Sequence, residues 1–225
     1  VDAVGGDNAP GEIVKGCLLA LQKSEAVKIL LCGKEEILRQ LVGQQYPAER
    51  LEIVPASEVI ETGDVPVVSV RKKKDSSLVV GMKLVREERA DAFVSAGNSG
   101  AILVGGQVLV GRLPGVERAP FAPLIPTEDG GVTLLLDSGA NVDAKAAHLV
   151  QFAEMGSLYM EKALGIEKPR VAILNVGVEE EKGNALVKET MPLLKECKDI
   201  NFIGSIEARE IPKGGADVIV CEAFV

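Results

Sequence analysis

The chain has 225 residues, of which 47% are hydrophobic and only 3% aromatic, and its formal net charge is -8. This length suits one large α/β domain or two small ones, with a core built from aliphatic side chains. The acidic balance argues against nucleic-acid binding, which needs a basic surface. The four cysteines form no CxxC pair, so we expect reduced, buried thiols and no metal site.

Short β-rich runs alternate with longer helical patterns along the whole chain. In the first half, strands are predicted over 27–32, 51–54 and 91–94, and helices over 35–42, 76–88 and 101–110. In the second half, strands are predicted over 132–136, 170–174, 201–204 and 217–221, and helices over 144–164 and 185–197. This alternation predicts an α/β fold with a mostly parallel sheet, in which ligands bind at the carboxyl ends of the strands.

The strongest local signal is the segment SAGNSGA over residues 95–101, which links the strand predicted over 91–94 to a helix. Its free backbone N–H groups and the positive end of the helix dipole favour a phosphate group. We therefore predict phosphate binding by Gly97, Asn98, Ser99 and Gly100. A capped turn without a ligand is the alternative. The chain has no GxxxxGK[ST] pattern, which excludes a nucleotide site of the Walker type.

Other polar residues follow predicted strands. Asp7 comes after two glycines, and Asp137 and Asn141 belong to the segment LDSGANVD. An aspartate there is suited to accepting a proton or orienting a partner, and an asparagine to donating to an oxyanion. Helix capping is the alternative for each of these turns. His148, the only histidine, lies mid-helix, so we expect a core or helix-surface role.

Lys72, Lys73 and Lys74 form a basic run in an otherwise acidic chain. Such a run is suited to contacting phosphate or an acidic protein partner. An ordinary exposed helix start is the alternative.

Seven segments resemble, in order, those of the acyl-ACP:phosphate acyltransferases of bacterial phospholipid synthesis. They are GGDNAP, SVRKKKDSS, ADAFVSAGNSGA, LLLDSGANVD, QFAEMGSLYME, PRVAILNVGVEEEKGN and NFIGSIEARE. The resemblance implies a three-layer α/β/α fold similar to isocitrate and isopropylmalate dehydrogenases and to phosphotransacetylase. It also implies a cytoplasmic homodimer whose acyl phosphate product passes to a glycerol-3-phosphate acyltransferase, with peripheral membrane association in some members. Since the family continues past Val225, we expect residues 1–225 to be a single acyltransferase domain truncated at its C-terminus.

On this resemblance we predict that phosphate, bound at residues 97–100, attacks the thioester of acyl carrier protein directly, with no cofactor. Asn141 is the candidate oxyanion donor, and Asp7 or Asp137 the candidate orienting group or base. Lys72, Lys73 and Lys74 would contact the acidic carrier protein. Two alternatives stay open: a phosphotransacetylase-like enzyme that uses acyl-CoA, and a non-catalytic protein that binds phosphate or acyl carrier protein.

Overall fold

A computed structural model describes residues 1–43, 46, 49–179 and 181–223. The chain divides into two compact units, Val1–Leu113 and Pro114–Val225, which are described separately below. Both units combine helices with mostly parallel strands, so the predicted α/β class is confirmed. The assignment of residues 1–225 to a single domain stays a prediction.

The first unit contains a short parallel sheet with helices on both of its faces. Its elements are α1 (Gly11–Lys23), β1 (Ile29–Gly33), α2 (Glu35–Val42), β2 (Leu51–Pro55), α3 (Pro66–Lys72), α4 (Ser77–Arg86) and α5 (Ser99–Gly105). A π-helix, Gly106–Val110, continues α5 directly. β1 and β2 pair in parallel with Ile29 opposite Leu51, and the extended residues 1–3 lie against β1 through a bridge between Asp2 and Cys32.

Helices pack on both faces of the sheet in the first unit. Val14, Cys17 and Leu21 of α1 and Leu38 of α2 pack with Leu31 on one face of the sheet. On the other face, α4 approaches β1 so closely that a Cβ added at Gly81 would lie 3.6 Å from the Cys32 sulfur. Helices on both faces give this unit the predicted three-layer arrangement.

The second unit is built on a larger sheet. Its elements are β3 (Leu124–Pro126), β4 (Val132–Leu136), α6 (Ala146–Leu164), β5 (Arg170–Leu174), α7 (Ala185–Glu196), β6 (Asn201–Ile206) and β7 (Val218–Val220). The strand order is β3-β4-β7-β5-β6, and every pairing is parallel except that of β3 with β4. Phe152 and Met160 of α6 and Leu194 of α7 are buried in the principal core of this unit.

The structure corrects several predicted elements. The strand predicted over 91–94 is an irregular segment outside the named strands, and Val94 accepts a main-chain hydrogen bond from the Asp2 N–H at 2.9 Å. The helix predicted over 101–110 begins earlier, at Ser99, and its last five residues form a π-helix. Helix α3 and the antiparallel strand β3 were missed by the predictions. Among the described residues, no helix combines the length and the apolar character that a membrane crossing requires.

Candidate active site

Residues 95–100, called the phosphate turn below, lead into α5, and Asn98 is the N-cap of that helix. Its Oδ1 accepts a hydrogen bond from the Ala101 N–H at 2.9 Å, which is the usual bond of an N-cap asparagine. Its Nδ2 lies 3.2, 3.0 and 3.0 Å from the carbonyl oxygens of Glu61, Thr62 and Asp64. The buried Asn98 side chain therefore holds the loop between β2 and α3 against the start of α5. Direct binding of phosphate by this side chain stays a prediction.

Ser99 and Gly100 are the first two residues of α5. Their backbone N–H groups belong to the first turn of the helix, where no intrahelical acceptor exists. No acceptor for either group is found among the described residues, and the Ser99 side chain is exposed. A Cβ added at Gly100 would lie 2.7 Å from Pro66 Cγ, so glycine permits the close approach of α3. The start of α5 thus presents two N–H donors and a hydroxyl.

A buried carboxylate that the sequence analysis did not single out lies behind this turn. Asp2 is only 3% exposed. Its Oδ1 accepts from the Ser77 hydroxyl at 2.6 Å, and its Oδ2 accepts from the Ser95 hydroxyl at 2.7 Å. The Ser95 Oγ in turn accepts from the Gly97 N–H at 3.0 Å. Asp2 therefore connects the first extended segment, the start of α4 and the phosphate turn. The available signal was an aspartate between two apolar residues, Val1 and Ala3.

Asp7 is exposed, and no hydrogen bond or ion pair to it is found within the described part of the chain. The two glycines before it pack on the phosphate turn. A Cβ added at Gly5 would lie 2.8 Å from the Gly97 nitrogen, and Gly6, at φ +94°, lies against Ala96. The backbone that carries Asp7 is thus fixed beside this turn, while its side chain reaches solvent.

A cleft of about 840 Å³ in the first unit ends near Asp2 and Ser95. One wall includes Lys28, Ile29 and Leu30 at the start of β1, and the opposite wall includes residues 90–94. Val1 hydrogen-bonds to Leu30 and Asp2 hydrogen-bonds to Val94, so residues 1–2 lie between these two walls at the end of the cleft. No ligand is assigned to this cleft.

The basic run over 72–74 contains two exposed lysines and one, Lys73, that is bonded within the first unit. The Lys73 ammonium lies 2.5 Å from Asp64 Oδ2 and donates to the Val59 carbonyl at 2.8 Å. The hydrogen bond from Lys73, followed by that from the Glu61 N–H, lowers the pKa of Asp64. Lys72 and Lys74 are exposed. Lys73 therefore fixes the same loop that Asn98 holds, and Lys72 and Lys74 remain accessible to a partner.

The second unit contains the other predicted pair, Asp137 and Asn141, just after β4. Asp137 is fully buried, and its carboxylate accepts four N–H groups: those of Phe121 (2.8 Å), Ala140 (3.2 Å) and Asn141 (2.6 Å), and the Asn141 side-chain amide (2.9 Å). The Asn141 amide also donates to the Ala119 carbonyl at 3.1 Å. The structure brings these two residues into contact with each other and with residues 119–121. Their catalytic roles stay predictions.

A second polar turn of this unit follows β5. The Asn175 Nδ2 donates to the Lys182 carbonyl at 3.3 Å, and the Ser205 hydroxyl contacts the carbonyls of Gly177 and Val178 at 3.2 and 3.1 Å. The hydrogen bond between Glu179 and Lys182 lowers the pKa of the carboxyl and raises that of the ammonium. Val176 and Val178 remain largely exposed. This turn is thus tied down at its ends and exposed at its tip.

The structure also places the single histidine and the cysteines. His148 is buried, its Nδ1 accepts from the Lys145 N–H at 3.1 Å, and its Nε2 lies 3.1 Å from Glu117 Oε2. This is the expected core role, at the start of α6. All four cysteines are free, and burial raises the pKa of the Cys221 thiol to about 11.

The comparisons with known proteins decide the family. The family model described as "Fatty acid synthesis protein" matches residues 1–225. The phosphate acyltransferase of Thermoanaerobacter pseudethanolicus is 51% identical over 225 residues, which are all of this chain and 66% of that relative. The phosphate acyltransferase of Brevibacillus brevis is also 51% identical, over all of this chain and 67% of its own length. The chain belongs to the phosphate acyltransferase family.

Solved structures support the fold of this family member. A phosphotransacetylase from Streptococcus pyogenes superposes with a TM-score of 0.70 at 16% identity, covering 95% of this chain and 75% of its own. The EutD phosphotransacetylase from Staphylococcus aureus gives 0.64 at 18% identity with the same coverage. At these identities the likeness shows a shared fold, and it confirms the expected similarity of fold to phosphotransacetylase. The chain spans about two thirds of the length of its curated relatives.

Proposed function

We propose that the full-length protein transfers a fatty acyl group from acyl carrier protein to inorganic phosphate. The observation that carries this proposal is the start of α5, where two backbone N–H groups without an acceptor in the described residues adjoin the exposed Ser99 hydroxyl. A helix start of this kind favours an anion. Membership of the phosphate acyltransferase family makes phosphate the anion of choice.

The proposed reaction needs no protein nucleophile. A phosphate oxygen attacks the thioester carbonyl, a C–O bond forms, and the carbonyl oxygen becomes an oxyanion. The C–S bond then breaks, and the departing thiolate takes up a proton to give the free thiol of the carrier. Because phosphate is already anionic, the protein contributes chiefly by holding it and by stabilising the oxyanion.

The candidate polar side chains differ in their exposure and in the hydrogen bonds that they already make. Asp7 is exposed and is our candidate for the group that orients phosphate or accepts a proton. Asp137 is fully buried among four N–H donors, which favours a supporting role. For Asn141 to serve as an oxyanion donor, its amide must release Ala119 or Asp137.

The proposed partners follow from the family and from the surface. Lys72 and Lys74 are accessible to an acidic carrier protein. We also propose a cytoplasmic homodimer, with peripheral membrane association that passes acyl phosphate to a glycerol-3-phosphate acyltransferase.

The test is incubation of the full-length protein with acyl carrier protein charged with a fatty acid, with and without labelled phosphate. We expect thiol release that depends on phosphate, together with labelled acyl phosphate trapped as a hydroxamate by hydroxylamine. Parallel reactions with acyl-CoA address the alternatives. Activity with acyl-CoA alone would indicate a phosphotransacetylase-like enzyme. Binding of phosphate or carrier without thiol release would indicate a non-catalytic protein.

A further inference from the structure

We infer that Asp2 and Ser95 are positioning residues that fix the phosphate turn, an inference that rests on the proposed function. Neither residue is placed against the anion itself. Asp2 acts through Ser95, and Ser95 acts through the backbone of Gly97.

The contacts of Asp2 define the direction of each hydrogen bond. An ionised carboxylate only accepts, so both serine hydroxyls must donate to it. The Ser95 proton therefore points at Asp2 Oδ2, and a lone pair of Ser95 Oγ is left to accept the Gly97 N–H. Because the Gly97 N–H is held by Ser95 Oγ, the backbone position of Gly97 is fixed. The position of the next three residues, 98–100, depends on it.

Burial makes this arrangement stiff. No Lys, Arg or His side chain is bonded to Asp2 among the described residues, so the hydroxyls and the Val4 N–H are its polar contacts. A buried carboxylate oxygen that loses a hydrogen-bond donor is left unsatisfied, which is costly. Space around the turn is also limited, since a Cβ added at Gly97 would lie 3.3 Å from the Gly5 Cα. The turn therefore has little freedom while Asp2 keeps both hydroxyls.

The chain offers a matched control in Ser77. Its hydroxyl donates to the other carboxylate oxygen of Asp2 at 2.6 Å, so removing it takes away one donor, as removing the Ser95 hydroxyl does. Ser77 begins α4, however, and has no hydrogen bond to the phosphate turn. Comparing Ser95→Ala with Ser77→Ala separates positioning of the turn from general support of Asp2.

The experiment measures initial rates in the full-length protein at varied phosphate and fixed acyl carrier protein, together with equilibrium dialysis of labelled phosphate. We expect Ser95→Ala to raise the phosphate KM and Kd about fivefold, as the loss of one hydrogen bond to the turn implies. The KM for acyl carrier protein should stay the same. Ser77→Ala should raise the phosphate KM and Kd clearly less than Ser95→Ala does, although both variants should lose a comparable free energy of unfolding in urea. Asp2→Asn keeps one acceptor oxygen where the carboxylate has two, so it should also raise the phosphate KM and Kd.

Two results would overturn the inference: equal effects of the two serine variants on phosphate, or no effect of Ser95→Ala on phosphate binding. Failure of the proposed function looks different. In that case the unaltered protein shows no phosphate-dependent thiol release, and dialysis alone then decides whether Ser95 and Asp2 position an anion site. An unaltered protein that binds no phosphate would end both.

Discussion

Asn98 has both of its polar side-chain atoms engaged within the first unit, which changes what its substitution should do. The residue caps α5 and holds three carbonyl groups of the loop between β2 and α3. Asn98→Ala removes the cap and the amide donor of those carbonyls, of which the Glu61 carbonyl keeps the Asp64 N–H at 3.1 Å. We expect the free energy of unfolding to fall by about 2 kcal/mol, measured in urea, together with weaker phosphate binding.

Asn98→Ser is the informative companion, because serine keeps an acceptor for the Ala101 N–H but lacks the amide donor. Its stability should lie between those of Asn98→Ala and the unaltered protein. If Asn98→Ala instead loses phosphate binding at full stability, the side chain acts as a direct ligand, as the sequence first suggested.

The residues of the candidate site were only partly predictable from the sequence. The turn over 95–101 was found because small polar residues and glycine precede an apolar helix. The amide of Asn98, by contrast, is bonded to residues more than thirty positions away. Asp2, Ser77 and Ser95 converge only in the folded unit, since Ser77 and Ser95 lie 75 and 93 positions from Asp2. Local spacing contains no signal for such contacts.

At the scale of elements, the predictions were most accurate where the hydrophobic periodicity and the residues that end each element indicate the same bounds. The bounds of α2, β4 and β5 match those predicted, because each run is marked by glycine, charged or polar residues. The segment over 91–94 was predicted as a strand from its composition. A strand is defined by its pairing, however, and in the described part of the chain the main-chain hydrogen bond found for this segment is the one from the Asp2 N–H to the Val94 carbonyl. β3 has three residues, too few for a period to show.

Two helical glycines test how closely elements pack. In α6, a Cβ added at Gly156 would lie 2.5 Å from Leu136 Cδ1 and 2.7 Å from Val218 Cγ1. In α1, nothing lies within 4 Å of a Cβ added at Gly16. Gly16→Ala should raise the free energy of unfolding by about 0.5–1 kcal/mol, because alanine loses less backbone entropy. Gly156→Ala should lower it, because overpacking of about 1–3 kcal/mol exceeds that gain.

Urea denaturation of both variants checks this pair, with α-helical content measured as a control. Equal stabilisation by the two substitutions would mean that α6 does not rest directly on β4 and β7.

The loop between β2 and α3 should be sensitive to acid through Asp64. The hydrogen bond from Lys73 lowers the pKa of this carboxyl in the folded protein. A lowered folded pKa contributes stability above the unfolded value, about 3.9, and this contribution disappears as the pH falls through the folded value. Lys73→Met removes it and keeps the aliphatic stem. The stability difference between the two proteins should therefore be constant above about pH 5 and shrink below about pH 4.

Urea denaturation at several pH values from 7 to 3 measures that difference. A difference as large at pH 3 as at pH 7 would show that Lys73 acts through the Val59 carbonyl and not through the Asp64 charge.

At the scale of the whole molecule, the distribution of charge bears on the carrier protein. The chain carries a net charge of -8, so an acidic partner is repelled at long range and needs a local basic surface. Lys72 and Lys74 provide exposed positive charge, whereas Lys73 is paired with Asp64. The carrier interaction should therefore depend on the two exposed lysines and on ionic strength.

In the full-length protein, Lys72→Ala combined with Lys74→Ala should raise the KM for acyl carrier protein about tenfold at low salt, with the phosphate KM unchanged. The difference in KM should narrow as sodium chloride rises, because at 0.1 M salt the interactions between exposed charges more than about 10 Å apart are largely screened. Lys188→Ala combined with Lys198→Ala is the matched control, since it removes the same charge from exposed positions of the second unit. If both pairs raise the KM equally, net charge governs the encounter and the basic run is not a docking surface. If only the first pair does so, the carrier protein docks beside the loop that Asn98 and Lys73 hold in place.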